Sequence, residues 1–294
     1  MAHDANLRTR LLRRIDALPV LPTVVSKLMA LDRHEPRYFE QILALIESDP
    51  TFAARVLASA NSAADAPRAR ITSVRRALTR LGSTKAYNTI LTVALSRVFV
   101  PRDDWEKSLW RHALQVAVTL RTLVQASPRA DIRTDEAYTA GLLHDVGRFV
   151  LFSEAPSSLR EIDESDCRSA SELLARERSI CGITHAEVGA LACERWQLPE
   201  PLVSVIRRHH ETIPSDADDE VAALIQGVQF TDLAVSPAAV PGSEGYEEAE
   251  LDMIESELVR EMPPFFDFDA ASLQVLLQSS ARESNEMFRA IELA

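Results

Sequence analysis

An all-α fold in two lobes is predicted: short stacked helices to about residue 100, then a larger helical bundle. Three observations carry this expectation. Glycine numbers only 8 in 294 residues, under half its usual ~7% share. Aromatics are few at 6% while Ala, Leu, Arg and Glu abound, a balance that favours helix over strand. Finally, a cap, an apolar stripe and a stop recur along the chain, and alternating β-branched runs are scarce.

In the first lobe, Leu7, Leu11, Leu12, Ile15 and Leu18 fall at helical spacing. Pro19 and Pro22 in "LPVLP" then force a corner, because the residue before a proline is driven out of the helical region. "TVVSKLMALD" and "FEQILALIES" read as two further helices. In "SDPTFAARVLASANSA", Asp49 suits the N-cap, Pro50 the first helical position, and Phe52, Val56, Leu57 and Ala60 form the stripe. "ITSVRRALTRLG" repeats the pattern, with Thr72 or Ser73 as cap and Gly82 as stop. Helices this short are marginal alone, so they must stack.

Longer apolar faces follow at 85–99 and 109–124. "DEAYTAGLLHDVGRFVLF" reads as one mostly buried helix, and 153–171 as loop plus a short helix. "THAEVGALACERW", "PLVSVIRRHHE" and "DEVAALIQGVQFTDLAV" are three more helices. Residues 236–245, rich in Pro, Gly and Ser, suit a linker. An acidic helix (246–261), a "PPFFDF" corner and a last helix (271–292) complete the chain.

Composition excludes several partner classes. A formal charge of −12 gives no global field to gather phosphate backbones. The basic clusters at 8–14 and Arg68–Arg80 read as solvated helix faces, so no nucleic-acid partner is expected. Cys167, Cys181 and Cys193 form no C-x-x-C pair, and their odd number argues against a disulfide framework. The N-terminus has no apolar signal core and no run reaches the ~18 apolar residues of a membrane span. A cytoplasmic protein without a membrane partner is the expectation.

The chemistry-bearing residues lie in the second lobe. Five of seven histidines sit among apolar neighbours at helical spacing: His112, His144, His185, His209 and His210. Asp145 follows His144 directly, and Asp232 lies in "VQFTDLAV". One histidine on an apolar face is usually a hydrogen-bonded core residue. Five with two aspartates, on separate helical segments, form a candidate metal-ligand set. No cofactor is fixed by the sequence, but imidazole with carboxylate suits a divalent metal, Fe, Mn or Zn, rather than Ca or Mg. Such a metal would acidify water for phosphoester hydrolysis.

The order H…HD…H…HH…D resembles the HD superfamily of metal-dependent phosphohydrolases. The wider chain resembles its HDOD (HD-related output) branch through "LPVLP" (18–22), "SDPTFAARVLASANSA" (48–63), "ITSVRRALTRLG" (71–82), "LWRHALQVA" (109–117), "AGLLHDVGRFVL" (140–151), "THAEVGALACERWQLP" (184–199) and "IRRHHE" (206–211). The resemblance implies an HDOD domain over 10–235, split into an N-terminal lobe (10–100) and an HD-like lobe (101–235), with a C-terminal helical extension (236–294). It also implies His112, His144, Asp145, His185, His209, His210 and Asp232 as ligands, with His144, Asp145, His112 and Asp232 at the centre and His185, His209 and His210 at the rim. The function it implies is a bacterial signal-transduction protein that binds unidentified signalling partners through a degenerate HD-type pocket.

A metal-dependent phosphohydrolase of nucleotides or cyclic dinucleotides is the alternative implied by the related HD-GYP hydrolases, and a metal or nucleotide sensor without turnover is a third reading. Departures from the hydrolase pattern weigh against turnover. Ser108 stands where some HD-GYP proteins place a glutamate, and Arg148 where they carry a phosphate-contacting lysine. If the chain is active, Arg148 is the phosphate contact, though its planar fork does not reproduce an ammonium. After "HHE" the chain has the acidic run 215–220 instead of a Gly-Tyr-Pro loop.

Overall fold

The computed structural model describes residues 2–19, 21, 23–62, 70–127, 130–165, 167, 169–213, 220–235 and 258–292. The expected linker 236–245, most of the acidic helix 246–261, the loop at 63–69 with Arg68, and the acidic run at 215–219 lie outside these residues. The described residues form helices and connections with no strand. The chain divides into two units: residues 1–18 with 102–284, and residues 19–101 with 285–294.

The smaller unit is built from five short helices: α2 (Thr23–Met29), α3 (Tyr38–Glu47), α4 (Pro50–Ser62), α5 (Val74–Leu81) and α6 (Ser83–Ser96). Asp49 caps α4 as expected, its carboxylate accepting from the Thr51 N–H at 2.8 Å. Ser73 caps α5 by accepting from the Arg76 N–H, and Gly82 ends it at φ +80°, a backbone region that a side chain disfavours. Leu28, Ile42, Ile46, Phe52, Val56, Leu78, Ile90 and Leu91 bury almost completely. α3 and α5 bury one side and expose the other, whereas α6 is buried all round from Ala86 to Ser96; helices this short depend on that packing for their stability.

The larger unit opens with α1 (Ala2–Asp16), which packs against three later helices of the same unit. There follow α7 (Asp104–Ala126), α8 (Thr134–Leu143), α9 (Val146–Glu154), α10 (Pro156–Asp163), α11 (Ala170–Cys181), α12 (His185–Arg195), α13 (Glu200–Arg208), α14 (Glu220–Ala234) and α15 (Ala270–Glu292), the last belonging to this unit as far as residue 284. Asp103 caps α7 by accepting from the Glu106 N–H, and a capping box of Thr184 and Glu187 starts α12. Leu120, Val124, Ile225, Val228 and Phe230 form one core with Leu258, Phe266 and Leu273. Residues 258–277 therefore pack into this unit.

Two expectations change on contact with the structure. The run 135–152 is not one helix but two, α8 and α9, with His144 and Asp145 at the break. Asp145 takes φ −101°, ψ 16° there, a sparsely populated bridge conformation. Beyond the expected loop and short helix of 153–171, residues 170–181 form a further helix, α11, with Ser169 as N-cap and Gly182 as left-handed stop.

Close backbone approach fixes where these helices cross. A Cβ on Gly147 of α9 would collide with the His185 carbonyl and stand 2.7 Å from the Gly189 nitrogen. A Cβ on Gly141 of α8 would stand 2.7 Å from Ala117 Cα of α7. These absent side chains let α9 lie on α12, and α8 on α7, at near backbone contact.

Candidate metal centre

All seven residues expected as ligands belong to the larger unit, and they converge. Five elements deliver them. His112 comes from α7, His144 and Asp145 from the α8–α9 break, His185 from the first position of α12, His209 and His210 from the end of α13, and Asp232 from α14. They fall into two groups, Asp145 with His185, His209 and His210, and His112 with His144 and Asp232. Within each group the donor atoms lie within 4.8 Å of one another.

Asp145 joins the groups. Its Oδ1 is 3.2 Å from His185 Nε2 and 3.8 Å from His209 Nε2. Its Oδ2 is 3.7 Å from His144 Nε2 and 4.0 Å from His112 Nε2. His112 Nε2 in turn stands 3.0 Å from Asp232 Oδ1. One carboxylate thus turns an oxygen to each side.

Centre and rim match the expectation for buried His144 and Asp145 and for half-buried His210, but His185 and His209 exchange places with His112 and Asp232. The His144, His185 and His209 side chains are 0%, 0% and 1% exposed, whereas His112 and Asp232 keep 30% and 35%. His185 lies deep because α12 is pressed onto α9 at Gly147. The cluster meets solvent at His112, Asp232 and the half-buried His210.

Hydrogen bonds settle which imidazole nitrogen faces inward. His144 Nδ1 lies 2.8 Å from the Gly141 carbonyl and His209 Nδ1 2.7 Å from the Ile206 carbonyl. His185 Nδ1 lies 2.7 and 2.8 Å from the two oxygens of Glu177. Carbonyl and carboxylate oxygens only accept, so each Nδ1 carries the proton, and in the neutral ring Nε2 is a lone pair. The lone pairs of His185 and His209 point at each other, their Nε2 atoms 3.2 Å apart, and His210 Nε2 lies 3.0 Å from His185 Nε2. His144 Nε2 is buried with no hydrogen-bond partner at all.

The electrostatics follow from who faces whom. Burial opposes charge on His185, yet Glu177 and Asp145 outweigh it and raise its pKa. Burial likewise opposes charge on His112, but the Asp232 hydrogen bond and charge raise it. Burial and the neighbouring imidazoles push His209 well below its ordinary value, and burial with His185 pushes His210 down to about 4. Burial alone would raise Asp145, but His144, His185 and Arg148 hold it well below the carboxylate range. Asp232 is depressed too: the His112 hydrogen bond overcomes its burial.

Donor type and spacing fit divalent cations. Nitrogen or oxygen ligands ~2.0–2.1 Å from one ion stand roughly 3 Å apart, the separation between His185 Nε2 and each of His209, His210 and Asp145, at 3.0–3.2 Å. An orphaned Nε2 on His144 and opposed lone pairs are costly to bury unless a cation or shared proton lies between them. The charge agrees. Asp145, Asp163, Glu177 and Asp232 set four carboxylates against one guanidinium, Arg148, a formal excess of three negative charges when all are ionised and the imidazoles neutral.

Arg148, expected to meet phosphate, is committed elsewhere. Its guanidinium pairs with Asp163 through Nη2 and approaches Asp145 at 3.9 Å through Nη1, while Nε is buried without a hydrogen-bond partner. Ser108 is exposed and turns its hydroxyl back to the Trp105 carbonyl at 2.7 Å.

Five histidines and two aspartates thus form, in one helical unit, two adjoining groups that could each hold a metal ion. The chain belongs to the HDOD domain family, whose model matches residues 18–212. It is 29% identical over 222 residues to an uncharacterized protein of Treponema pallidum (strain Nichols), covering 76% of this chain but only 43% of that relative. In fold it is similar to an HDOD domain protein of unknown function from Geobacter sulfurreducens (TM-score 0.70, 22% identity, 98% and 97% of the two chains covered). A Shewanella amazonensis SB2B protein provisionally named a metal-dependent phosphohydrolase shares the fold at TM-score 0.57 and 19% identity, over 96% and 100% of the chains. Among the described residues, no helix is long and apolar enough to cross a membrane.

Proposed function

We propose that this chain is a cytoplasmic signal-transduction protein whose HD-type unit holds a pair of divalent cations and acts by contact with other signalling proteins. The observation that carries the metal reading is the array of inward lone pairs, above all the orphaned Nε2 of buried His144, around a carboxylate with one oxygen toward each ligand group. His185, His209 and His210 would hold one cation and His112, His144 and Asp232 the other, with Asp145 between them; Fe, Mn and Zn suit these donors. The pocket is thus not degenerate in its ligands. Membership in the HDOD family, and the resemblance it rests on, supports the regulatory half of the reading.

Metal-dependent phosphohydrolysis is the second reading, favoured by the partial exposure of His112 and Asp232. A bound cation would supply Lewis acidity there and acidify water near neutral pH. Against turnover stands Arg148, which must give up Asp163 before it can grip a phosphate. Metal analysis of full-length protein purified without chelator tests the metal reading: close to two equivalents are expected, and none after reconstitution with Mn²⁺, Fe²⁺ or Zn²⁺ overturns it. Turnover of cyclic di-GMP by the loaded protein would move the conclusion to the second reading.

A further inference from the structure

We propose that Glu177 is a positioning residue of this centre, a buried carboxylate that orients His185 and strengthens its Nε2 as a metal donor. The inference rests on the metal reading above. Glu177 lies on α11, is 0% exposed, and devotes both oxygens to one residue. They stand 2.7 and 2.8 Å from His185 Nδ1, and Oε2 also accepts the His185 backbone N–H at 2.8 Å.

The reason for importing a carboxylate lies in helix polarity. His144 and His209 sit at helix C-termini, where unsatisfied carbonyls three residues back receive their Nδ1–H groups. His185 begins α12, and a helix start offers free N–H donors rather than carbonyls. An imidazole there finds no local acceptor, and its own N–H is one of the orphans. Glu177 satisfies both groups. The left-handed stop at Gly182 turns the chain from α11 into α12 and brings Glu177 over His185, eight residues on.

The consequence is chemical as well as steric. A carbonyl and a carboxylate both fix the ring and raise the basicity of the far nitrogen, and the carboxylate's full charge does so more strongly. His185 is the ring that needs this most, since its Nε2 meets His209, His210 and Asp145 together. A purely structural Glu177 would tie α11 to α12 and do nothing to a bound ion.

The test uses the full chain, with Co²⁺ and Zn²⁺ as probes. Glu177→Gln keeps the size and one acceptor oxygen but removes the charge, and Glu177→Asp keeps the charge at shorter reach. Co²⁺ and Zn²⁺ affinity by chelator competition should fall about 10- to 100-fold in Glu177→Gln, with a changed Co²⁺ visible spectrum and unaltered helix content. Glu177→Asp should recover part of the affinity. Equal affinity and an identical spectrum in Glu177→Gln would overturn the inference while leaving the metal reading intact. Failure of wild-type protein to bind either ion would sink the reading underneath it. If both variants fail to fold, imidazole ¹H–¹⁵N correlations of Zn²⁺-loaded wild type decide: His185 should show a protonated, strongly hydrogen-bonded Nδ1 and a metal-shifted Nε2. The reverse assignment overturns the proposal.

Discussion

Asp145 Oδ1 and His185 Nε2 stand 3.2 Å apart although they lie on different helices forty residues apart in sequence. What allows it is the bare backbone at Gly147, two residues after Asp145, where any Cβ would strike the carbonyl of His185 itself. The contact that closes the α9–α12 crossing therefore also sets the register of the centre.

Gly147→Ala should consequently act on stability and on the centre together. Forcing a methyl against fixed backbone is worse than ordinary overpacking, which costs about 1–3 kcal/mol. A loss of about 3 kcal/mol is expected in urea unfolding, with weaker metal retention in the folded fraction. Gly82→Ala, where nothing lies within 4 Å of the added methyl, should leave metal retention at the wild-type level despite its backbone strain. Equal metal content in Gly147→Ala and wild type would show that the crossing does not set the site.

The two ligand groups predict separable losses. His112→Ala or Asp232→Ala removes a partly exposed ligand from one group and should drop stoichiometry from two cations toward one. Asp145→Ala withdraws an oxygen from both and should deplete both. Elemental analysis after desalting reads these numbers directly, and simultaneous loss of both ions in His112→Ala would argue for a single site.

Hydrolysis of cyclic di-GMP by the Mn²⁺- or Fe²⁺-loaded protein should stay below ~1 s⁻¹, the low end of ordinary enzymes. The physical grounds are Arg148 held by Asp163 and the absence of a carboxylate at exposed Ser108. Asp163→Asn, which loosens that hold, should raise any residual turnover rather than lower it. Rapid turnover in wild type, abolished by His144→Ala, would show that Arg148 is not restrained in the working protein.

How much of this was legible beforehand follows from what each signal reports. The all-α fold, the caps at Asp49 and Ser73 and the seven clustered residues can be read because they depend on local pattern and motif order. The break at His144–Asp145 cannot, since the apolar run continues through it and periodicity does not register a backbone turn. The depth of His185 comes from the α9–α12 crossing, a tertiary event. Glu177 was missed because its helix is polar and lies past a stretch read as loop. The only local hint was Ser169 three residues before Glu172, with Gly182 beyond, which is a start and stop signal for α11.

In the smaller unit, Asp49 and Arg97 form a two-pronged ion pair at 2.8 and 3.0 Å, and this predicts a pH dependence independent of the metal centre. The Arg97 hydrogen bond, acting against burial, lowers the Asp49 pKa from 3.8 to about 2. A depressed carboxyl pKa stabilises the fold above the unfolded value of 3.8 and loses that contribution as pH falls through the folded value. With 27% and 37% of the two side chains exposed, solvent screening limits the effect to about 1 kcal/mol. Asp49→Asn is the suitable variant, because an amide oxygen still caps α4 through the Thr51 N–H and Arg97 still lies over the Phe52 ring. Wild type should exceed the variant by about 1 kcal/mol in urea unfolding between pH 5 and 7. The gap should narrow below pH 4 and close near pH 2. A gap that does not change with pH would mean that the stabilisation comes from the cap geometry and not from the charge.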